Sequence, residues 1–263
     1  MCREDKGYRI VYDVVVRDSI AYLTCGGKGL KVVDVADKKN LKIIKNIEKP
    51  DKLITNLYLV GNDKIVAKTN IWANMNYIDI SDLKNPKFAD EDISMVHFLQ
   101  QISNIYNNEY LIALNRISIA VLKLEKNDYS HKMSIVYKTE DNFSNTYYGV
   151  ASNNKYAYIT TGWRGELFTY SLDNPLEPQK VSELKPPVGD LYQIVVEGNR
   201  GYITTTKSVV VINITNPSQP EFLEEIKIPD GENVSIYNRI VYKNNNFYIC
   251  TGYSGLWILK NKV

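Results

Sequence analysis

The chain of 263 residues is 44% hydrophobic and 24% charged, with a formal net charge of +2. That balance suits a globular protein with a sizeable core. It argues against a nucleic-acid partner, because lysines and arginines stand singly among acids instead of gathering into a stripe. No apolar run is long enough to cross a bilayer, so no transmembrane segment is expected.

The first six residues, Met1-Cys2-Arg3-Glu4-Asp5-Lys6, hold no apolar core of the kind a signal peptide needs. A cysteine directly after the initiator, followed by a polar stretch, is how a mature bacterial lipoprotein looks when Met replaces its leader. A native start with an incidental cysteine is the alternative, and both stay open. An apolar segment, Tyr8-Arg9-Ile10-Val11, follows. Then comes a series of short strands: Val14-Val15-Val16, Ala21-Tyr22-Leu23-Thr24, a glycine turn Gly26-Gly27-Lys28-Gly29, Leu30-Lys31-Val32-Val33-Asp34-Val35, and Lys42-Ile43-Ile44. The glycines supply the positive φ of a tight hairpin.

The series repeats. Its second strand returns at Ile65-Val66-Ala67-Lys68, Leu111-Ile112-Ala113-Leu114, Ala157-Tyr158-Ile159-Thr160, Gly201-Tyr202-Ile203-Thr204 and Phe247-Tyr248-Ile249-Cys250. The marker residues Tyr22, Val66, Ile112, Tyr158, Tyr202 and Tyr248 lie 44, 46, 46, 44 and 46 residues apart. After the third strand of a unit comes a polar turn bearing proline: Ser81-Asp82-Leu83-Lys84-Asn85-Pro86, Asp173-Asn174-Pro175 or Thr215-Asn216-Pro217. Asp and Asn side chains bond their own downstream backbone in such turns, and proline stops the strand. A period of about 40–50 residues with four short strands per unit is the signature of a β-propeller.

The expected fold is therefore all-β, a single six-bladed β-propeller domain over residues 1–263 with four-stranded antiparallel blades. The blades are placed at about 12–48, 54–92, 96–138, 146–185, 190–228 and 238–263. The last unit ends after its third strand, so residues 1–11 are expected to lie beside it as the fourth, and their deletion to lower the melting temperature sharply. The third unit is the irregular one: Ser103-Asn104-Ile105 and Ile117-Ser118-Ile119 are weak strands whose register can slip.

The phrases Gly29-Leu30-Lys31-Val32-Val33-Asp34-Val35, Asp79-Ile80-Ser81-Asp82-Leu83-Lys84-Asn85-Pro86-Lys87 and Ile212-Asn213-Ile214-Thr215-Asn216-Pro217 resemble the LVIVD repeat of bacterial and archaeal propeller proteins. The resemblance covers nearly the whole chain and is poorest in the third unit, where Leu122-Lys123-Leu124 lacks the acidic turn. It implies a propeller, often on exported or surface proteins, and carries over no catalytic residue.

Chemistry is scarce. His97 and His131 fall in different units, which leaves no multi-histidine metal site, and no nucleophile elbow or phosphate loop is present. Asp90-Glu91-Asp92 lacks the alternating ligands of a calcium loop and reads as a solvated turn. Cys25 and Cys250 have no CxxC spacing and read as small buried hydrophobes, and Trp257, inside a strand, reads as core. The positions opening each inner strand are Asp13, Leu57, Ser103, Gly149, Gln193 and Arg239. The polar members Asp13, Ser103, Gln193 and Arg239 would line the channel mouth, with Asp13 and Arg239 as an ion pair at the seam. They lack the paired carboxylates of a hydrolase, so no catalytic residue, metal or cofactor is expected.

Binding is expected on the face that carries the turns between second and third strands. Lys28, Trp72, Trp163, Arg164 and Tyr253 lie on those turns, and Tyr147, Tyr148 and Tyr192 on the connections between units. Aromatics exposed at turn tips cost hydration free energy, which a partner recovers. The expected function is a monomeric, non-catalytic propeller, extracytoplasmic or at the cell surface with a lipid anchor at Cys2, recognising a protein, peptide or glycan. An enzyme or small-ligand sensor working at the channel mouth, and a cytoplasmic location, are the alternatives.

Overall fold

In the computed structural model the residues described are 11–25, 29–48, 53–60, 63–69, 74–93, 101–102, 110–114, 118–125, 132–138, 146–153, 155–228, 239–250 and 256–260. Every regular element among them is a strand. In chain order these are β1 (Val14–Arg17), β2 (Ile20–Thr24), β3 (Leu30–Asp34), β4 (Lys42–Ile47), β5 (Ile54–Val60), β6 (Lys64–Thr69), β7 (Asn74–Asp79) and β8 (Lys87–Ile93). There follow β9 (Gln101–Ile102), β10 (Tyr110–Leu114), β11 (Ile119–Glu125), β12 (Lys132–Lys138), β13 (Gly149–Ser152), β14 (Tyr156–Thr160), β15 (Leu167–Ser171) and β16 (Gln179–Leu184). The last are β17 (Ile194–Glu197), β18 (Arg200–Thr204), β19 (Ser208–Asn213), β20 (Glu221–Lys227), β21 (Ile240–Lys243), β22 (Asn246–Cys250) and β23 (Leu256–Lys260).

They form antiparallel meanders in which each strand pairs with its sequence neighbour. Five sheets have four strands, and β21–β23 make a sheet of three. Six four-stranded blades were expected, the last completed by residues 1–11; among the described residues five sheets are four-stranded, and β21–β23 has no fourth strand beside it. Residues 1–10, expected there, lie outside the described residues. Two compact units divide the chain, residues 1–97 with 238–263, and residues 98–237.

Turn chemistry explains the order. After β3, Asp34 accepts from the amide of Ala36 at 2.9 Å and Asp37 from that of Lys39 at 3.0 Å. The same double turn recurs after β7 at Asp79 and Asp82, and after β19 at Asn213 and Asn216. Pairing between third and fourth strands is interrupted by a register shift in all five four-stranded sheets, which adds twist.

Strands apolar at successive positions are buried on both faces, because alternation sends neighbours in sequence to opposite sides. In the first unit Val14, Val16, Ala21 and Leu23 pack with Tyr248 and Leu256 of the last sheet. Val15, Ile20 and Tyr22, one step out of phase, pack with Leu57, Ile65 and Ile78 of the next sheet. The second unit repeats the scheme: Ile112 packs with Val150 and Ile159, and Tyr158 with Ile194 and Ile203. The repeat markers Tyr22, Ile112 and Tyr158 are thus side chains that join one sheet to the following one within each unit.

Four local expectations are corrected. In the third unit Ala113 pairs with Ile102, two residues before the position given by the 46-residue period, because strand β9 begins early. Asp90–Asp92 continue strand β8 instead of forming a turn, since the pairing of β7 extends to Ile93. Trp257 is half-buried, not core, because β23 has no fourth strand beside it among the described residues. Cys25 is buried at 1% exposure as expected, but it is disulfide-bonded and not a free thiol.

Candidate functional site

The second unit builds a rigid turn between β14 and β15. Thr161 donates its amide to the Glu166 carbonyl at 3.0 Å, and Gly165 to the Gly162 carbonyl at 2.9 Å. Gly162 and Gly165 have φ of 59° and 67°, where only glycine sits without strain. A Cβ on Gly162 would also collide with the ring of Tyr148, and one on Gly165 would stand 2.9 Å from the Gly189 carbonyl oxygen. Leu191 donates its amide to Gly162 at 2.8 Å, which ties the turn to the connection leading into β17.

Inside the turn lies Glu166, a buried carboxylate that the sequence reading did not single out. Its amide donates to Thr161 Oγ1 at 3.0 Å, and its carboxylate receives Arg164 Nε at 2.9 Å and Nη2 at 3.1 Å. The fork is bidentate, and it holds the Arg164 pKa above its usual value. Arg-x-Glu across a tight turn was the signal available in the sequence. With Arg164 turned back on Glu166, Trp163 is left at the tip, 67% exposed.

The floor beside the turn is aromatic. Tyr148 and Tyr192 meet edge to face, ring centres 5.3 Å apart. Tyr192 is 9% exposed, and burial, then Asp190 and Tyr148, push its hydroxyl pKa up to about 12. Gln193 donates through Nε2 to the Tyr148 carbonyl at 3.2 Å. Tyr147 points inward, packed on Phe168, and belongs to the core.

The structure thus brings together Trp163, Arg164, Tyr148, Tyr192 and Gln193. Lys28, Trp72, Tyr253 and Ser103, with His97 and His131, lie outside the described residues. Among the described residues no group of three His, Cys, Asp or Glu is placed to hold a metal ion.

Asp13 and Arg239, in the first unit, form a brace. Asp13 is fully buried and accepts from the amides of Val14 and Leu57, each at 2.7 Å, and from Arg239 Nη1 at 3.0 Å. Arg239 also donates to the Leu57 carbonyl and lies over the Tyr58 ring at 4.4 Å. Burial raises the Asp13 pKa, opposed by Arg239 and the two amides. The same register carries a device missed in the sequence. Thr24, Thr160 and Thr204 each accept the amide of the residue opening the inner strand, at 2.9, 2.9 and 3.0 Å. All three close their second strand, eleven residues on, a spacing the repeat could have revealed.

The chain is similar to solved structures at low identity, which speaks to fold alone. A functionally unknown protein from Desulfotomaculum acetoxidans DSM 771 aligns at 13% identity with a TM-score of 0.65, over 96% of this chain and 90% of that one. A protein from Lactobacillus plantarum aligns at 9% identity and 0.62, over 97% and 85%. The β-propeller domain of Myceliophteria thermophila Cps50 (Swd1) aligns at 11% identity and 0.61, over 95% and 83%. No curated protein matches. With its meandering sheets, the chain is a β-propeller protein. More particularly it carries the LVIVD repeat, matched at residues 9–48 in one unit and 188–227 in the other.

Proposed function

We propose that this propeller is a non-catalytic interaction module that holds a protein, peptide or glycan on the Trp163 turn. The observation that carries the reading is an indole 67% exposed on a turn fixed by two positive-φ glycines, the Leu191 bridge and the Arg164–Glu166 fork. A pre-ordered aromatic loses little conformational entropy on binding, and its burial is favourable, which is why Trp recurs at the centres of interfaces. Tyr148 and Tyr192 support the turn from below. Probing the whole protein on arrays of peptides and glycans tests this. Trp163→Ala abolishes the captured signals while the melting temperature stays put, and retention of every signal by the variant overturns the reading.

The compartment we infer is extracytoplasmic, with the chain acting as a monomer. A disulfide-bonded Cys25 suits an oxidising environment, and a lipid anchor at Cys2 is part of the same reading. No helix among the described residues is long and apolar enough to cross a membrane. Mass spectrometry of Cys2 in the native protein checks the anchor, and an unmodified cysteine removes it. The segment expected as the fourth strand of the last blade, residues 1–11, lies outside the described residues except for Val11, which is buried in one cluster with Leu256. Removal of residues 1–11 lowers the melting temperature if that expectation holds, and an unchanged melt sinks it.

A further inference from the structure

We propose that Cys25 and Cys250 are joined as a disulfide that staples the first sheet of the chain to the last. Cys25 is disulfide-bonded, and the sequence holds two other cysteines, Cys2 and Cys250. Cys25 sits just after β2, in a buried cluster that includes Tyr248 of β22 and Leu256 of β23. On the backbone Cys250 is two residues beyond Tyr248 and directly paired with Leu256. With a period of two, the strand positions flanking Cys250 are thus the ones already packed around Cys25. Both cysteines belong to the same compact unit.

The repeat gives the pairing its logic. Counting eleven from the opening residue of the inner strand reaches Thr24, Thr160 and Thr204 in three sheets, and Cys250 from Arg239 in the last. The last sheet, like the second and third with Lys68 and Leu114 at that place, lacks the threonine that accepts the opening amide in those three. At that same sheet the chain instead places Arg239 on Asp13, and the staple, both directed at the first sheet. The link spans 225 residues of chain, from 25 to 250, so it restricts the unfolded ensemble strongly. Chemically, the two thiols lose two protons and two electrons to a thiol–disulfide exchange partner, whose own disulfide is reduced to two thiols.

Digestion of the unreduced, alkylated full-length protein with trypsin tests the assignment. Peptide 18–28, holding Cys25, is expected as a cross-linked species with peptide 244–260, holding Cys250, and Cys2 in peptide 1–3 carries no bond to either. A Cys25–Cys2 species, or alkylated Cys250 in protein taken from an oxidising compartment, overturns it. Cys25→Ser and Cys250→Ser each free one thiol and lower the melting temperature by about 5–10 °C. The double variant loses no more than either single change, because one bond is being removed. Cys2→Ser leaves the melt unchanged, and a fall there equal to that of Cys25→Ser also overturns the proposal. These readouts do not depend on any ligand, so they stand or fall separately from the Trp163 reading.

Discussion

The Trp163 turn and the Asp13–Arg239 brace occupy different positions of one repeat and use their polar groups in opposite ways. At the brace, a carboxylate with no solvent exposure has its oxygens on two amides and a guanidinium from three different strands' approaches. At the turn, the carboxylate of Glu166 binds a neighbour two residues away, and the effect is to leave an indole outside. A long-range buried pair holds sheets together, and a short-range pair shapes one loop. The first region therefore governs stability, and the second is the one proposed for recognition.

Breaking the brace gives the largest effect. Asp13→Ala leaves Arg239 and the Leu57 amide without their acceptor, and is expected to cost about 3–5 kcal/mol, read as a fall in melting temperature on the order of 10 °C. A variant that melts like the parent but has lost binding would reverse the roles assigned to the two regions. Next comes Gly162→Ala, which meets the Tyr148 ring and forces a positive φ on alanine. It is expected to cost about 1–3 kcal/mol and to weaken capture at the Trp163 turn. A loss of stability without any loss of capture would show that the turn's geometry is irrelevant to binding.

The smallest effect concerns the exposed turns. The Ser81 amide, chiefly, lowers the Asp79 pKa, and the Asn85 side chain, chiefly, lowers that of Asp82. A carboxylate whose pKa is depressed by folding stabilises above its unfolded value, and the contribution is lost as pH falls through the folded one. Asp82→Ala should therefore melt slightly below the parent at pH 7, with the gap closing below about pH 4. A gap that persists in acid would mean that packing, not the ionised carboxylate, accounts for it.

Much of this was legible before any coordinates. The 44- and 46-residue spacing of Tyr22 through Tyr248 places the sheets, and the Asp and Asn turns lie where their residues predict. The seam pair of Asp13 and Arg239 was also within reach, since equal spacing puts both at the start of an inner strand. What stayed hidden were pairings without a spacing rule. Tyr192 and Trp163 look alike as turn aromatics, yet one is buried against Tyr148 and the other exposed. The bonded state of Cys25 was equally unreadable, because part of its surroundings, Tyr248 and Leu256, comes from strands more than 200 residues downstream.

The chain's own chemistry determines its strands, its turns and their order, because hydrophobic alternation, glycine φ and side-chain-to-backbone bonds act over a few residues. Tertiary structure alone decides which aromatic faces solvent and how the third unit is registered. Those outcomes depend on the neighbouring sheet, whose contacts reach a residue through space and leave no periodic mark along the chain.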